Sequence, residues 1–252
     1  MRPRSASVLA ALVALIGVTL LSGCDGGTSP KAPVPAGLAS LPPNQIVAKA
    51  LAAARAAGSL HSASTAKTGL GSAVYSDDSS ARAGRQVITE PGDGGHATIL
   101  VLAGVGYIRG NAVALAGFFG LPDATAVQLA GRWLSVRPGQ TGYQQIVQGV
   151  TTGSLLGASA PTGRLTVTPP TRVDGYPVVG VRGQVAASAG LPPGSADILY
   201  VAATGRPLPV SVQEGTGSNE VTVVFSHWGE NVRVSAPRHV TPLPTGAGPL
   251  PV

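Results

Sequence analysis

The apolar positions of this chain change period along its length. Between 44 and 57, Ile46, Val47, Ala50, Leu51 and Ala54 fall on one side of a helix. Asn44 is placed to cap that helix and Gly58 to end it. Beyond Gly58 the pattern breaks into strand-like runs at 60–68, 73–77, 85–90, 97–103 and 105–109. Turn residues separate several of them, most clearly Pro91-Gly92-Asp93-Gly94-Gly95. Short helices are expected at 111–119, 124–130 and 142–156, with a strand at 132–136 between them. Strand runs return at 164–168, 176–185, 196–203, 207–213, 220–226 and 231–234. Helix, antiparallel strands, helices, antiparallel strands is an α+β order rather than a βαβ alternation.

Several of these strands do not alternate. A sheet with one wet face reads apolar-in and polar-out. Ile99-Leu100-Val101-Leu102, Val178-Val179-Gly180-Val181 and Val221-Thr222-Val223-Val224-Phe225 are apolar on both sides. Both faces then need cover. A plainly packed core and an apolar ligand cavity each satisfy that need.

The first residues follow another logic. Arg2 and Arg4 precede an apolar stretch from Val8 to Leu21, and Leu21-Ser22-Gly23-Cys24 closes it. Charge, apolar core and small-residue end make a secretory signal. The stretch is too short to span a bilayer, which takes about 20 apolar residues. Its end resembles the bacterial lipobox, in which the Cys is acylated and becomes the mature N-terminus. Cys24 is the one Cys in the chain, so an intramolecular disulfide is ruled out and acylation accounts for the lone thiol. The organisation expected is a signal peptide at 1–23, then the lipidated Cys24 with a Pro- and Gly-rich flexible tether over 24–43. A single domain follows over 44–237, with a disordered tail at 238–252. Cys24 would tie the protein to membrane lipid on the extracytoplasmic face of the cell membrane.

Charge narrows the function classes. The chain has 17 Lys and Arg against 11 Asp and Glu, a net of +6. The basic residues are scattered singly, without the basic runs and interleaved aromatics of a nucleic-acid surface, so nucleic acid is not an expected partner. His61, His96, His227 and His239 show no metal-ligand spacing, and no Gly-x-Ser-x-Gly is present. Gly104-Val105-Gly106 and Gly110 have the wrong spacing for a dinucleotide loop. Asp77-Asp78 is read as solvated charge in a Ser-rich turn. The expectation is a non-enzyme that needs no cofactor.

The second half carries a succession of phrases. Gly106-Tyr107-Ile108-Arg109-Gly110 precedes a helix, and Gly131-Arg132-Trp133-Leu134-Ser135-Val136 follows it. Then come Asp174-Gly175-Tyr176-Pro177-Val178-Val179-Gly180, Leu199-Tyr200-Val201-Ala202 and Gly205-Arg206-Pro207-Leu208-Pro209-Val210. Val223-Val224-Phe225-Ser226-His227-Trp228-Gly229-Glu230 closes the series. Their order, with the lipobox, resembles the LppX/LprG group of actinobacterial lipoproteins, related in fold to the lipoprotein carrier LolA. That resemblance implies a strongly curved antiparallel sheet, an open half-barrel, with helices packed on its concave side. It implies an apolar cavity for the acyl chains of a lipid or lipoglycan, and no catalytic residues.

The aromatics of the middle section suggest which residues would line such a cavity: Phe118, Phe119, Leu121, Trp133, Tyr143 and Ile146. The same residues could equally form plain core. Two readings therefore stand. One is a membrane-anchored lipoprotein that binds or transfers lipid. The other is an envelope lipoprotein with a filled core that presents a surface to a partner, such as a transporter or a cell-wall enzyme. A hydrolase would require a His and a carboxylate beside a Ser.

Overall fold

Pro43 opens the first helix because its missing N–H costs nothing in the first turn. In the computed structural model, which describes residues 37–68, 71–185, 191 and 194–244, α1 spans Pro43–Ala57. Gly58 ends it at a φ of +82°, where its N–H reaches the carbonyls of Ala54 and Arg55. Ile46, Val47, Ala50 and Ala54 form the buried stripe that their spacing predicts.

Five strands follow: β1 (Ser59–Thr68), β2 (Gly71–Ser80), β3 (Ala83–Thr89), β4 (His96–Leu102) and β5 (Val105–Gly110). The middle section holds α2 (Ala112–Gly117), α3 (Asp123–Leu129), β6 (Trp133–Val136), α4 (Tyr143–Val147) and α5 (Thr152–Ala158). The remaining strands are β7 (Thr162–Val167), β8 (Thr171–Val173), β9 (Tyr176–Gln184), β10 (Ala196–Ala202), β11 (Pro209–Thr216), β12 (Asn219–Ser226) and β13 (Val240–Pro242). All join one sheet in the order β13-β6-β5-β4-β3-β2-β1-β12-β11-β10-β9-β7, with β8 also on β9. Every pairing is antiparallel except β13 on β6. The sheet is curved and open, and the helices pack on its concave side, which is the expected α+β class.

Five local expectations change. Asn44 lies inside α1 rather than capping it, and Pro42 holds the cap position without a side-chain hydrogen bond. The helix expected over 142–156 is two, because Gly149 takes a φ of +78° and interrupts it. The second piece starts afresh from a capping box, with the Thr151 and Ser154 side chains each serving the other's N–H. The run at 231–234 joins no sheet. Val240–Pro242, within the expected tail, pairs with β6 instead, and Leu243 behind it is buried. Asp77-Asp78 lies inside β2 rather than in a turn.

Strand alternation sends one set of side chains to the concave face, where two apolar clusters form. Ile88, Ile99, Ile108, Leu134 and Val136 of β3–β6 pack beneath Leu115, Phe119, Ala126 and Ile146. Leu60, Val181, Leu199, Val212, Val223 and Phe225 pack beneath Ile46, Val47 and Ala50 of α1 and Leu155 of α5.

Candidate functional site

The concave face carries the features from which a binding site can be built. Its two apolar clusters are separated by polar residues of β1, β2 and β3. Ser62 and Asp77 are opposed across β1 and β2, and the Ser62 hydroxyl donates to Asp77 Oδ2 at 3.0 Å. Ser79 donates to the Val150 carbonyl at 2.9 Å, which draws the chain between α4 and α5 onto the sheet. Gly84 opposes Ser79 and leaves room for that carbonyl, which a Cβ would strike. Asp77 is 2% exposed and its Oδ1 has no partner among the described residues. Burial pushes this carboxyl up to about 6, against the lowering effect of hydrogen bonds from Gln86 and Ser62.

A pair of acids also faces this side. Asp197 of β10 stands directly opposite Glu214 of β11. Leu199 and Val201 alternate with Asp197, so the strand that buries them buries it too, at 0% exposure. Neither Asp197 oxygen has a hydrogen-bond partner among the described residues. Desolvation, and then the charge of Glu214, push the Asp197 carboxyl up to about 8. Desolvation pushes Glu214 up to about 7. The alternating phrase Asp197-Ile198-Leu199-Tyr200-Val201 held the signal for this position.

Of the residues proposed from sequence as a cavity lining, five come together. Phe119, Leu121 and Ile146 are buried in the first cluster, with Phe118 and Tyr143 packed against it. Phe118 meets Phe119 edge-on at 6.4 Å between centroids, and the Tyr143 hydroxyl donates to the Gly104 carbonyl at 2.8 Å. Trp133 is apart from them. It precedes the buried Leu134, so alternation turns it to the opposite face, beside Val240 of β13. Cys24 lies outside the described residues. On that opposite, convex face a pocket of about 490 Å3 opens among Val105, Tyr107, Ser135, Arg137, Pro237 and Pro242.

The arrangement a hydrolase would need is divided between two imidazoles. His61 Nδ1 lies 2.8 Å from Asp78 Oδ1, but the Ser226 hydroxyl is 3.4 Å from Nδ1 of His227, a different ring. No single His links a Ser to a carboxylate in these contacts. Among the described residues no helix is long and apolar enough to cross a membrane.

The sequence matches no protein-family model and no curated protein. Solved structures do match. LprF from Mycobacterium bovis aligns at a TM-score of 0.50 and 15% identity, over 77% of this chain and 96% of that one. The Mycobacterium tuberculosis lipoprotein LppX aligns at 0.48 and 19% identity, over 76% and 99%. A LolA superfamily protein from Nitrosomonas europaea aligns at 0.32 and 12% identity, over 77% and 96%. At these identities the likeness is one of architecture: this chain has the fold of LprF, the curved sheet with helices on its concave face that the sequence resemblance implied.

Proposed function

We propose that this protein is an envelope lipoprotein, tethered to the extracytoplasmic face of the cell membrane by acylated Cys24, that binds lipid or lipoglycan acyl chains. The binding surface would be the concave face of its sheet. The observation that carries this reading is the cover on that face. Helices α2 to α5 hold five to seven residues each. Such short helices draw their stability from packing on the sheet rather than from themselves. Parting them from it uncovers Leu115, Phe119 and Ile146, a cost the entering acyl chain has to offset. An acyl chain entering beneath them gains about 0.8 kcal/mol per buried methylene, so ten methylenes are worth roughly 8 kcal/mol. The LprF fold and the lipobox support the same reading. The role is binding or transfer rather than catalysis.

Native mass spectrometry of residues 25–252 from an actinobacterial host tests the cargo. The expected result is a co-purifying lipid, or uptake of an offered one; repeated recovery of bare protein that takes up none would overturn it. Cys24→Ala tests the anchor, because labelled fatty acid entering that variant refutes acylation at Cys24.

A second reading is a filled core beneath a partner-binding surface. It is favoured by Phe119, Leu121 and Ile146, which are only 3%, 4% and 2% exposed within the first cluster. Ile146→Phe separates the two. In an openable cavity the larger ring is accommodated and blocks lipid uptake, whereas in a filled core it destabilises by about 1–3 kcal/mol.

A further inference from the structure

Three side chains meet on the convex face, near the end of α1. His61 and Asp78 are opposed across β1 and β2. Both point outward, because their neighbours Ser62 and Asp77 point in. The third is Glu230, on the turn that follows β12. That turn is pinned to the start of β1. The Gly229 N–H donates to the Ser59 carbonyl at 2.9 Å. The Ser59 hydroxyl donates to the Glu230 carbonyl, and the Glu230 N–H to the His227 carbonyl at 3.1 Å. His227 holds a left-handed backbone, φ +47°, a region where His, like Asn and Asp, is enriched among non-glycine residues. Its ring stands edge-on to His61 at 5.7 Å and walls one side of the cluster.

One donor atom each from His61, Asp78 and Glu230 lies within 4.8 Å of the other two. A separate observation concerns Glu230. Its Oε1 is shut off from solvent and has no hydrogen-bond partner among the described residues. A desolvated carboxylate oxygen without a donor or a cation is costly. Arg85 does not serve it; its Nη1 lies 4.0 Å from Oδ2 of Asp78.

We propose that His61, Asp78 and Glu230 bind a divalent transition-metal cation, with Zn2+ the best match. One imidazole nitrogen and two carboxylate oxygens are a Zn2+ donor set. Mg2+ and Ca2+ favour oxygen throughout. Tetrahedral donors about 2.0–2.1 Å from Zn2+ stand roughly 3.4 Å apart. His61 and Asp78 stand closer than that, 2.8 Å apart across their hydrogen bond, and all three donor atoms lie within 4.8 Å of one another. Metal binding would replace the hydrogen bond between His61 and Asp78 and draw the Glu230 carboxylate in, with water in the fourth position. The cation would neutralise the buried Glu230 oxygen and cross-link β1, β2 and the segment leading to β13. This site lies on the face opposite the proposed lipid surface and does not depend on that reading.

The test is isothermal titration of the full chain in detergent, stripped with a chelator, with ZnCl2. Saturable uptake of one Zn2+ per chain is expected, undiminished by excess Mg2+. His61→Gln and Glu230→Gln should each weaken it about ten-fold or more, while His96→Gln leaves it unchanged. Circular dichroism confirms that each variant is folded, and Asp78→Asn takes the place of any that is not. Absence of one-to-one uptake overturns the proposal, as does parental affinity in the folded ligand variants.

Discussion

Burying Asp197 opposite Glu214 makes this fold lose stability as the pH rises, and Asp197→Asn should remove much of that loss. Both carboxyls titrate higher in the folded chain than in the unfolded one: Asp197 near 8 against 3.8, Glu214 near 7 against 4.5. Between those values the unfolded chain has released protons that the folded chain still holds. Stability from these groups is therefore complete below about pH 4 and falls until about pH 8. At pH 7 Asp197 is held protonated about three units above its ordinary value, and at about 1.4 kcal/mol per unit this sets a ceiling near 4 kcal/mol. Asn is neutral at every pH, keeps the shape, and inherits the same lack of a hydrogen-bond partner. The variant should thus match the parent near pH 4 and exceed it by roughly 2–4 kcal/mol at pH 7. For a domain of this size that is a rise in Tm of about 5–10 °C. Thermal melts of both proteins at acidic, neutral and mildly alkaline pH measure the difference. A pH-independent offset, or a parent as stable as the variant at pH 7, would refute the reasoning.

Three further changes probe the packing. Gly84→Ala drives a methyl into the Val150 carbonyl; it should cost about 1–3 kcal/mol in urea denaturation, and an unchanged midpoint would contradict the close approach. Leu134 is fully buried in the first cluster, so Leu134→Ala should lose about 2–5 kcal/mol by the same assay. Leu243→Ala removes a buried anchor behind β13; hydrogen exchange should quicken in β6, and unchanged protection there would show that the edge holds without it.

The meander of β1–β5 and most later strands were legible because period-2 runs and Gly-rich turns are local signals. The breaks in that legibility have physical causes. Gly149 divides a helix that apolar spacing alone reads as continuous, since its left-handed backbone is not a matter of hydrophobicity. β13 is three residues long among prolines, and it is a strand only because β6 presents a free edge to it. Asp77-Asp78 looked like a turn by composition, yet alternation in β2 sends Asp77 into the core side and Asp78 to His61. Trp133 was grouped with the middle aromatics, although its place beside Leu134 already put it on the other face. The cluster of His61, Asp78 and Glu230 had no spacing to find, because strand register and a distant turn bring its members together.

The strand order has a consequence for how the chain assembles. β1 to β6 pair in sequence order as one local meander, and β9 to β12 as another. A single seam, β1 on β12, joins them, with His61 facing Ser226. The pairings from β1 to β5 close through short loops, β6 returns to β5 after the two helices α2 and α3, and β13 closes a longer stretch onto β6. The seam closes nearly the whole domain and so carries a large entropic toll with little local reward. During synthesis the first meander is complete while β12 is still unmade, and β1 waits as a bare edge with its hydrogen-bonding groups unpaired. Slow seam closure, rather than slow helix or hairpin formation, should then set the folding time of this protein, and the interval before closure is when it is most open to mispairing with other chains.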